Sequence, residues 1–388
     1  MSDRSVDVLI VGAGPAGASC ASELRARGFL GSVLLVGREL DPPYERPPIS
    51  KELLRGGGEP TFLPVPSDVE LLTRTSVMKL DAEGRTALLS TKETVSFERA
   101  VLCTGANVRR LPIEGTDLEG IHYLRALRNA SALRSDVEGV ERVALVGGSF
   151  IACEVAASLT SMGIACTLVF PEEGPLSLQF GPAVGAWARG LLESHGVEVL
   201  AGEQVASLEG DGEDVQRLVC GSGRVVECQA VVIGVGAVPD VMLARSSGLA
   251  LGPRGGVLCS SSLETSAPGV FCAGDACEYD SVLHGQHVRI EHHEVALGQG
   301  RCAARNVMGE GAAFDEVPYF WSDLSDWATL EAVGPAVDGW DAEEVRGSFE
   351  SGSFSVFYSQ AGRLVAAMTC GRGDDLDEAR ERLRAARP

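Results

Sequence analysis

The chain has 388 residues, enough for two or three domains each with its own core, and an ordinary globular composition, 45% hydrophobic and 22% charged. Its formal net charge of −21 argues against nucleic acid and against an anionic membrane surface as partners. No apolar run is long enough to span a bilayer, and MSDRSVDVLIVGAG runs into a strand pattern without a secretory signal, so the chain reads as cytoplasmic and its eleven cysteines as reduced thiols.

The first stretch with a clear chemistry is VDVLIVGAGPAGASCASELRARGFLGSVLLVGRE. It reads as strand, glycine-rich turn, helix and second strand, with Gly28 as the helix stop. Gly12, Gly14 and Gly17 fall at the G-x-G-x-x-G spacing directly after Val6–Val11, with Pro15 and Ala16 between them. The first glycine allows a tight turn, the second lets a pyrophosphate approach the backbone, and the third lets helix and strand pack closely. Glu39, at the end of the second strand, is placed to accept the adenosine ribose hydroxyls. An exposed loop glutamate is the competing reading, because neighbouring Arg38 leaves the register open.

DPPYERPPISKELL comes next, from Asp41 to Leu54. Its prolines at 42, 43, 47 and 48 each lack an N–H and fix φ, which forbids a regular helix or central strand. The stretch predicts a stiff, extended loop that presents Arg46 and Lys51. Further on, AVLCTGANVRRLPIEG (100–115) reads as a strand that ends in the small residues Thr104 and Gly105 and then reverses.

From Arg142 the first pattern returns, in RVALVGGSFIACEVAASLTSMGIACTLVFPEE, with Gly163 as the helix stop. Here the fingerprint is Gly147, Gly148, Ser149, with Ala152 where the last glycine belongs. These are the smallest replacements, so a dinucleotide still approaches. Glu172 or Glu173 closes the second strand, where a carboxylate accepts ribose hydroxyls and repels a 2′-phosphate, which favours NADH over NADPH. A solvated acidic turn is the competing reading for either residue alone. AVVIGVGAVPD (230–240) is another strand that ends in small residues, Gly236 among them, and APGVFCAGDAC (267–277) delivers Asp275 beside two small residues. Cys272 and Cys277 stand five apart there and invite a redox-disulfide reading, although core packing is favoured. The histidines and cysteines never fall into paired ligand spacing, so no metal is expected.

In this order GAGPAG, LCTGA, GGSF, GVGAVP and CAGDA resemble the two-dinucleotide-domain flavoproteins of the pyridine nucleotide–disulfide oxidoreductase superfamily, over residues 6 to about 310. PPYERPPISKELL, RIEHHEVALGQGRCAARNVMG and VPYFWSDL narrow the likeness to the ferredoxin reductase and apoptosis-inducing-factor-like branch. The resemblance implies an α/β fold with two Rossmann-like dinucleotide-binding domains plus a small C-terminal α+β domain. Residues 1–112 and 245–318 would bind FAD, 113–244 would bind NAD(H), and 319–388 would be β-rich.

By the same resemblance Arg46 reaches the FAD pyrophosphate, and Lys51 lies near flavin N5 paired with Glu154 of GGSFIACE. Phe150 and Ile151 open that helix beside the nucleotide. Asp275 holds the ribityl chain, Glu291 and His292 belong to the flavin wall with Trp321, and Arg109 or Arg110 touches the FAD phosphates, with Arg110 the choice. The disulfide reductases of the superfamily carry a cysteine pair shortly after the first unit, whereas here none lies between Cys20 and Cys103, so thiol chemistry is not expected.

The implied activity is transfer of hydride from NADH to FAD and of single electrons onward to a separate iron–sulfur protein, a ferredoxin, of a cytochrome P450 or oxygenase system. An NADH oxidase or small-molecule reductase, and an NADH-sensing interaction flavoprotein, remain open, as does a homodimer. Because ferredoxins are usually acidic, docking would need a local basic patch, from Arg109, Arg110, Arg125, Arg128, Arg301 and Arg305.

Overall fold

The structure, a computed structural model, describes residues 4–385; residues 1–3 and 386–388, which open the first expected domain and close the third, lie outside the described residues. Two sheets carry the two expected units, the second parallel and the first seven-stranded, with Thr86–Leu89 and Val77–Asp81 added antiparallel at one edge. In the first, strands Glu70–Leu72, Val33–Val36, Arg4–Val11, Thr94–Leu102 and Val270–Cys272 run parallel, and the last is supplied by chain more than 160 residues downstream of its neighbour. In the second the order is Glu198–Ala201, Ala165–Phe170, Arg142–Val146, Ala230–Ile233, Ile121–His122. Val33–Val36 and Ala230–Ile233 are buried along their whole length, as strands covered on both faces must be.

Each unit turns into its helix through the same backbone. Gly12 and Gly147 have φ of +111° and +117°, a region closed to other residues, and each donates its N–H to the second strand, at Val36 and Val169 respectively. The turns lead into helices Pro15–Ala26 and Phe150–Ser161. The two units differ at the third fingerprint position. A Cβ on Gly17 would meet the Gly12 carbonyl oxygen at 2.0 Å, whereas Ala152 is accommodated, its own Cβ 3.2 Å from where one on Gly234 would stand.

Two short strands, Ala106–Val108 and Ala237–Pro239, pair antiparallel where the chain passes between the units. The C-terminal part is a five-stranded antiparallel sheet, in the order Tyr319–Leu324, Ala328–Val333, Arg363–Cys370, Ser353–Gln360, Ala342–Ser348, backed by helix Gly373–Ala385. Its inner face does not form a separate core. Leu330, Phe354 and Tyr358 pack into the same cluster as the Phe150–Ser161 helix, and the Tyr358 hydroxyl donates to the Phe180 carbonyl at 2.8 Å. Among the described residues no helix is long and apolar enough to cross a membrane.

The 41–54 stretch departs from the extended loop expected of it. Pro47–Ser50 is a turn of 3-10 helix and Glu52–Arg55 one turn of α-helix. Proline forbids a helix interior, but at a helix start its missing N–H has no bond to lose and its fixed φ fits.

The close contact beneath Gly17 has a direct consequence. Gly17→Ala overpacks the turn, so its denaturant midpoint should fall by the equivalent of roughly 1–3 kcal/mol. An unchanged midpoint in equilibrium unfolding would mean that helix and turn do not touch there.

Candidate active site

Two regions of the expected site are brought together, a polar cluster over the first unit and a buried ion pair between the units. The cluster begins at the Pro15–Ala26 helix, whose first turn has no side-chain cap. A Cβ on Gly14 would meet only the Arg46 guanidinium, at 3.8 Å. Open backbone N–H groups, a positive helix end and a guanidinium therefore face one space, which suits an anion.

Arg46 is fixed there by an ion pair to Glu39 and a 2.8 Å bond to the Arg125 carbonyl. The Tyr44 hydroxyl donates to Glu39 at 2.7 Å and accepts from the Leu127 N–H at 3.0 Å. Burial works to raise the Glu39 carboxyl, but the Arg46 charge and the Tyr44 bond outweigh it and hold it below the ordinary glutamate range. Asp275, delivered by the turn after Val270–Cys272, pairs with Arg125 at 2.8 Å. Thr104 donates to the Asp240 carbonyl at 2.6 Å and Gly105 takes φ +70°.

Lys51 and Glu154 meet at 2.8 Å, with side-chain exposures of only 7% and 4%. Charges so deeply buried are tolerated when every oxygen finds a donor. Glu154 has three. Lys51 and Ser50 bond one oxygen, and the Ser322 hydroxyl bonds the other at 2.7 Å. Ser50 and Ser322 are themselves 1% exposed. The Lys51 ammonium also donates to the Pro47 carbonyl at 3.2 Å, a contact that the turn of the proline-rich stretch allows.

The strand that carries the expected Trp321 also carries Phe320. Along Tyr319–Leu324 alternate side chains take opposite faces, so Phe320 shares the face of Ser322. Phe320 lies 4.4 Å from the His292 ring and 4.9 Å from Phe150, centroid to centroid. Trp321 points the other way, 6.1 Å from Tyr319 and edge-on to His293 at 6.3 Å. The Nδ1 atoms of His292 and His293 are buried without a hydrogen-bond partner among the described residues.

The remaining expected residues are spread over both units. Arg110 stacks over Tyr123, 4.3 Å from the ring centroid, and Arg109 donates its backbone N–H to Gly236. Glu291 pairs with Arg289. Arg125, which carried no motif, joins the polar cluster through Asp275, and of the basic docking set it and Arg301 are already paired, Arg301 with Glu316 at 3.1 Å. In the second unit the Ser149 hydroxyl donates to the Gly234 carbonyl at 2.6 Å and does not cap its helix, so this helix end is open as well. A Cβ on Gly148 would lie 3.0 Å from the Phe170 ring, Ile151 is exposed, and Glu172 lies just past strand Ala165–Phe170. Two open helix ends, the Arg46 cradle and the orphaned histidine nitrogens fit two dinucleotides, one with a polar flavin edge.

Residues 6–300 match the family described as pyridine nucleotide-disulphide oxidoreductase, and 319–388 match a reductase C-terminal domain. The chain belongs to the pyridine nucleotide-disulphide oxidoreductase family. It is 34% identical to the probable ferredoxin reductase CtmF of Castellaniella defragrans over 93% of this chain and 90% of that one. Among solved structures it resembles the ferredoxin reductase for the CYP199A2 system of Rhodopseudomonas palustris (31% identity, TM-score 0.90, 96% and 92% of the two chains). It also resembles the covalent putidaredoxin reductase–putidaredoxin complex (30% identity, TM-score 0.93, 99% and 94%). The chain is accordingly an oxidoreductase of the class that uses FAD and a pyridine nucleotide.

Two measurements probe the site. Lys51→Ala and Glu154→Ala each strand a buried partner, so each should cost on the order of 3–5 kcal/mol in equilibrium unfolding. The double variant should cost clearly less than the sum, and strictly additive penalties would mean that the two never pair.

His292 supplies the second. Burial pushes its imidazole down to about 4 from an ordinary 6.5, against a weaker opposing pull from Asp275. Between those values the unfolded chain takes up a proton that the folded chain refuses. The contribution is complete above pH 6.5 and is lost as pH falls toward 4. His292→Gln should flatten the stability profile across that window, and an unchanged slope would place the ring in water.

Proposed function

We propose that this chain is an FAD-dependent NADH:ferredoxin reductase of the cytoplasm, serving a cytochrome P450 or oxygenase system through a separate iron–sulfur protein. The observation that carries the proposal is the Lys51–Glu154 pair, buried between the first unit's proline-rich stretch and the second unit's helix, and tied by Ser322 to the C-terminal sheet. Residues 1–112 and 245–318 form the FAD domain in this reading, 113–244 the NAD(H) domain and 319–388 the domain that closes the flavin edge.

When bound, FAD supplies hydride acceptance from the nicotinamide and one-electron release to the acceptor. The chain's part is orientation and charge. The turn through Gly12, Gly14, Pro15, Ala16 and Gly17 and the Arg46 guanidinium bind the pyrophosphate, with Glu39 both fixing Arg46 and facing the adenosine ribose. Asp275 and Thr104–Gly105 line the ribityl path, and Arg125, more than Arg110, balances the charge of Asp275 there. Lys51 holds an ammonium beside the flavin ring, kept in place by Glu154 and the Pro47 carbonyl. Phe320 and His292 exclude water from the same side. Gly147, Gly148 and Ser149 receive the NADH pyrophosphate, and Glu172 the ribose.

A screen of purified protein against NADH, NADPH, a panel of [2Fe–2S] ferredoxins, a quinone and oxygen tests this. NADH with one of the ferredoxins should turn over far faster than NADH with oxygen. Repulsion by Glu172 worth about 2.8 kcal/mol gives NADH roughly a hundredfold advantage in kcat/KM. Oxygen or a quinone consuming NADH as fast as any ferredoxin would install the oxidase reading instead.

A further inference from the structure

Three sulfurs that no motif groups together meet in the core behind Asp275. Cys259 ends strand Val257–Cys259, Cys272 ends Val270–Cys272 and Cys277 opens Cys277–Ser281. The first and last of these strands pair in parallel, with Val257 beside Cys277 and Cys259 beside Tyr279, so Cys259 and Cys277 share one face of the small sheet two positions apart. Cys272 arrives from the neighbouring seven-stranded sheet, where it pairs with Leu102. The three Sγ atoms lie within 4.8 Å of one another, and all three residues are buried.

That spacing suits a metal. An ion about 2.3 Å from each of three sulfurs in one plane sets the sulfurs about 4 Å apart, inside the 4.8 Å within which these three lie. Donor type and number narrow the choice. Among the described residues no histidine, carboxylate or further cysteine joins the group, whereas zinc and iron–sulfur clusters take four ligands in sites of this closed kind. Thiolates are soft donors and select copper(I) among the common alternatives.

We propose that Cys259, Cys272 and Cys277 form a closed three-thiolate site for one soft monovalent metal ion of the copper(I) type. On binding, three S–H groups lose their protons to solvent and three metal–sulfur bonds form, with no change in oxidation state. The ion coordinates every sulfur and neutralises one of the three thiolate charges, which leaves the site a net dianion in the core. Cys272 and Cys277 bracket the turn that carries Asp275, so a bound ion ties together the strand ends that position the Asp275–Arg125 pair. The site stands independently of the ferredoxin reductase reading and uses none of its residues.

The test uses the full chain, reduced and anaerobic, refolded with FAD and one equivalent of copper(I), then desalted through an excess of a bidentate copper(I) chelator. Wild type should retain one copper per chain with a thiolate-to-copper absorption in the ultraviolet. Cys259→Ser should lower retention about tenfold or more, and Cys370→Ser, in the C-terminal sheet, should keep it. Circular dichroism checks that each variant folds, and chain produced in copper-supplemented medium gives the same count should refolding fail. Loss of copper from wild type to the chelator, equal retention by the triple variant Cys259→Ser/Cys272→Ser/Cys277→Ser, or replacement of the copper by equimolar zinc overturns the proposal.

Discussion

Two opposite charges sealed from water between three segments are the constraint around which this molecule closes. A carboxylate and an ammonium at the burial of Glu154 and Lys51 are stable only if every polar atom around them is bonded. The bonding comes from everywhere at once. Ser50 and Lys51 arrive from the proline-rich stretch, Glu154 from the second unit's helix and Ser322 from the C-terminal sheet. One set of contacts therefore fixes the relative position of parts that lie more than a hundred residues apart. It also places a positive charge where the two nucleotide units face each other.

The two units show how one backbone solution tolerates different side chains. In both, a glycine of strongly positive φ ends the first strand and donates to the second. The helices beyond that glycine differ in their packing. The first is pressed so close to its turn that Gly17 admits no Cβ, and Ala152 fits in the second. Ser149, a residue type that ordinarily caps a helix, directs its hydroxyl to the Gly234 carbonyl, and the helix end stays open as in the glycine version. An open, uncapped helix start is the shared feature, and it is reached by removing the side chain in one unit and diverting it in the other.

Where the sequence reading and the structure part, local rules met long-range packing. The prolines of the 41–54 stretch suggested an extended path, yet two of them start a 3-10 turn, in which the Pro47 carbonyl accepts from the Lys51 ammonium. Phe320 and Trp321 are neighbours in one strand, and only the strand's register decides which faces His292. In the register found, Ser322 bonds Glu154 and Phe320 shares its face, while Trp321 takes the opposite one. The family resemblance pointed to Arg110 for a phosphate; in the fold it stacks on Tyr123, and Arg125 pairs with Asp275. Arg125 has no motif around it, and its partner lies 150 residues away.

The sequence by itself determined what depends on neighbours along the chain: the two strand–turn–helix units, their glycine turns, the carboxylates just past the second strands, and the lack of a cysteine pair after the first unit. Each is a short-range pattern in which spacing dictates backbone conformation and backbone conformation dictates what can approach. Only the tertiary structure decided what depends on convergence. It gave Glu154 its two serines, gave His292 its aromatic neighbour, and brought Cys259 to Cys272 and Cys277 from another strand. Those meetings arise from sheet order and strand register, which the burial of whole apolar faces enforces over distances that no local pattern encodes.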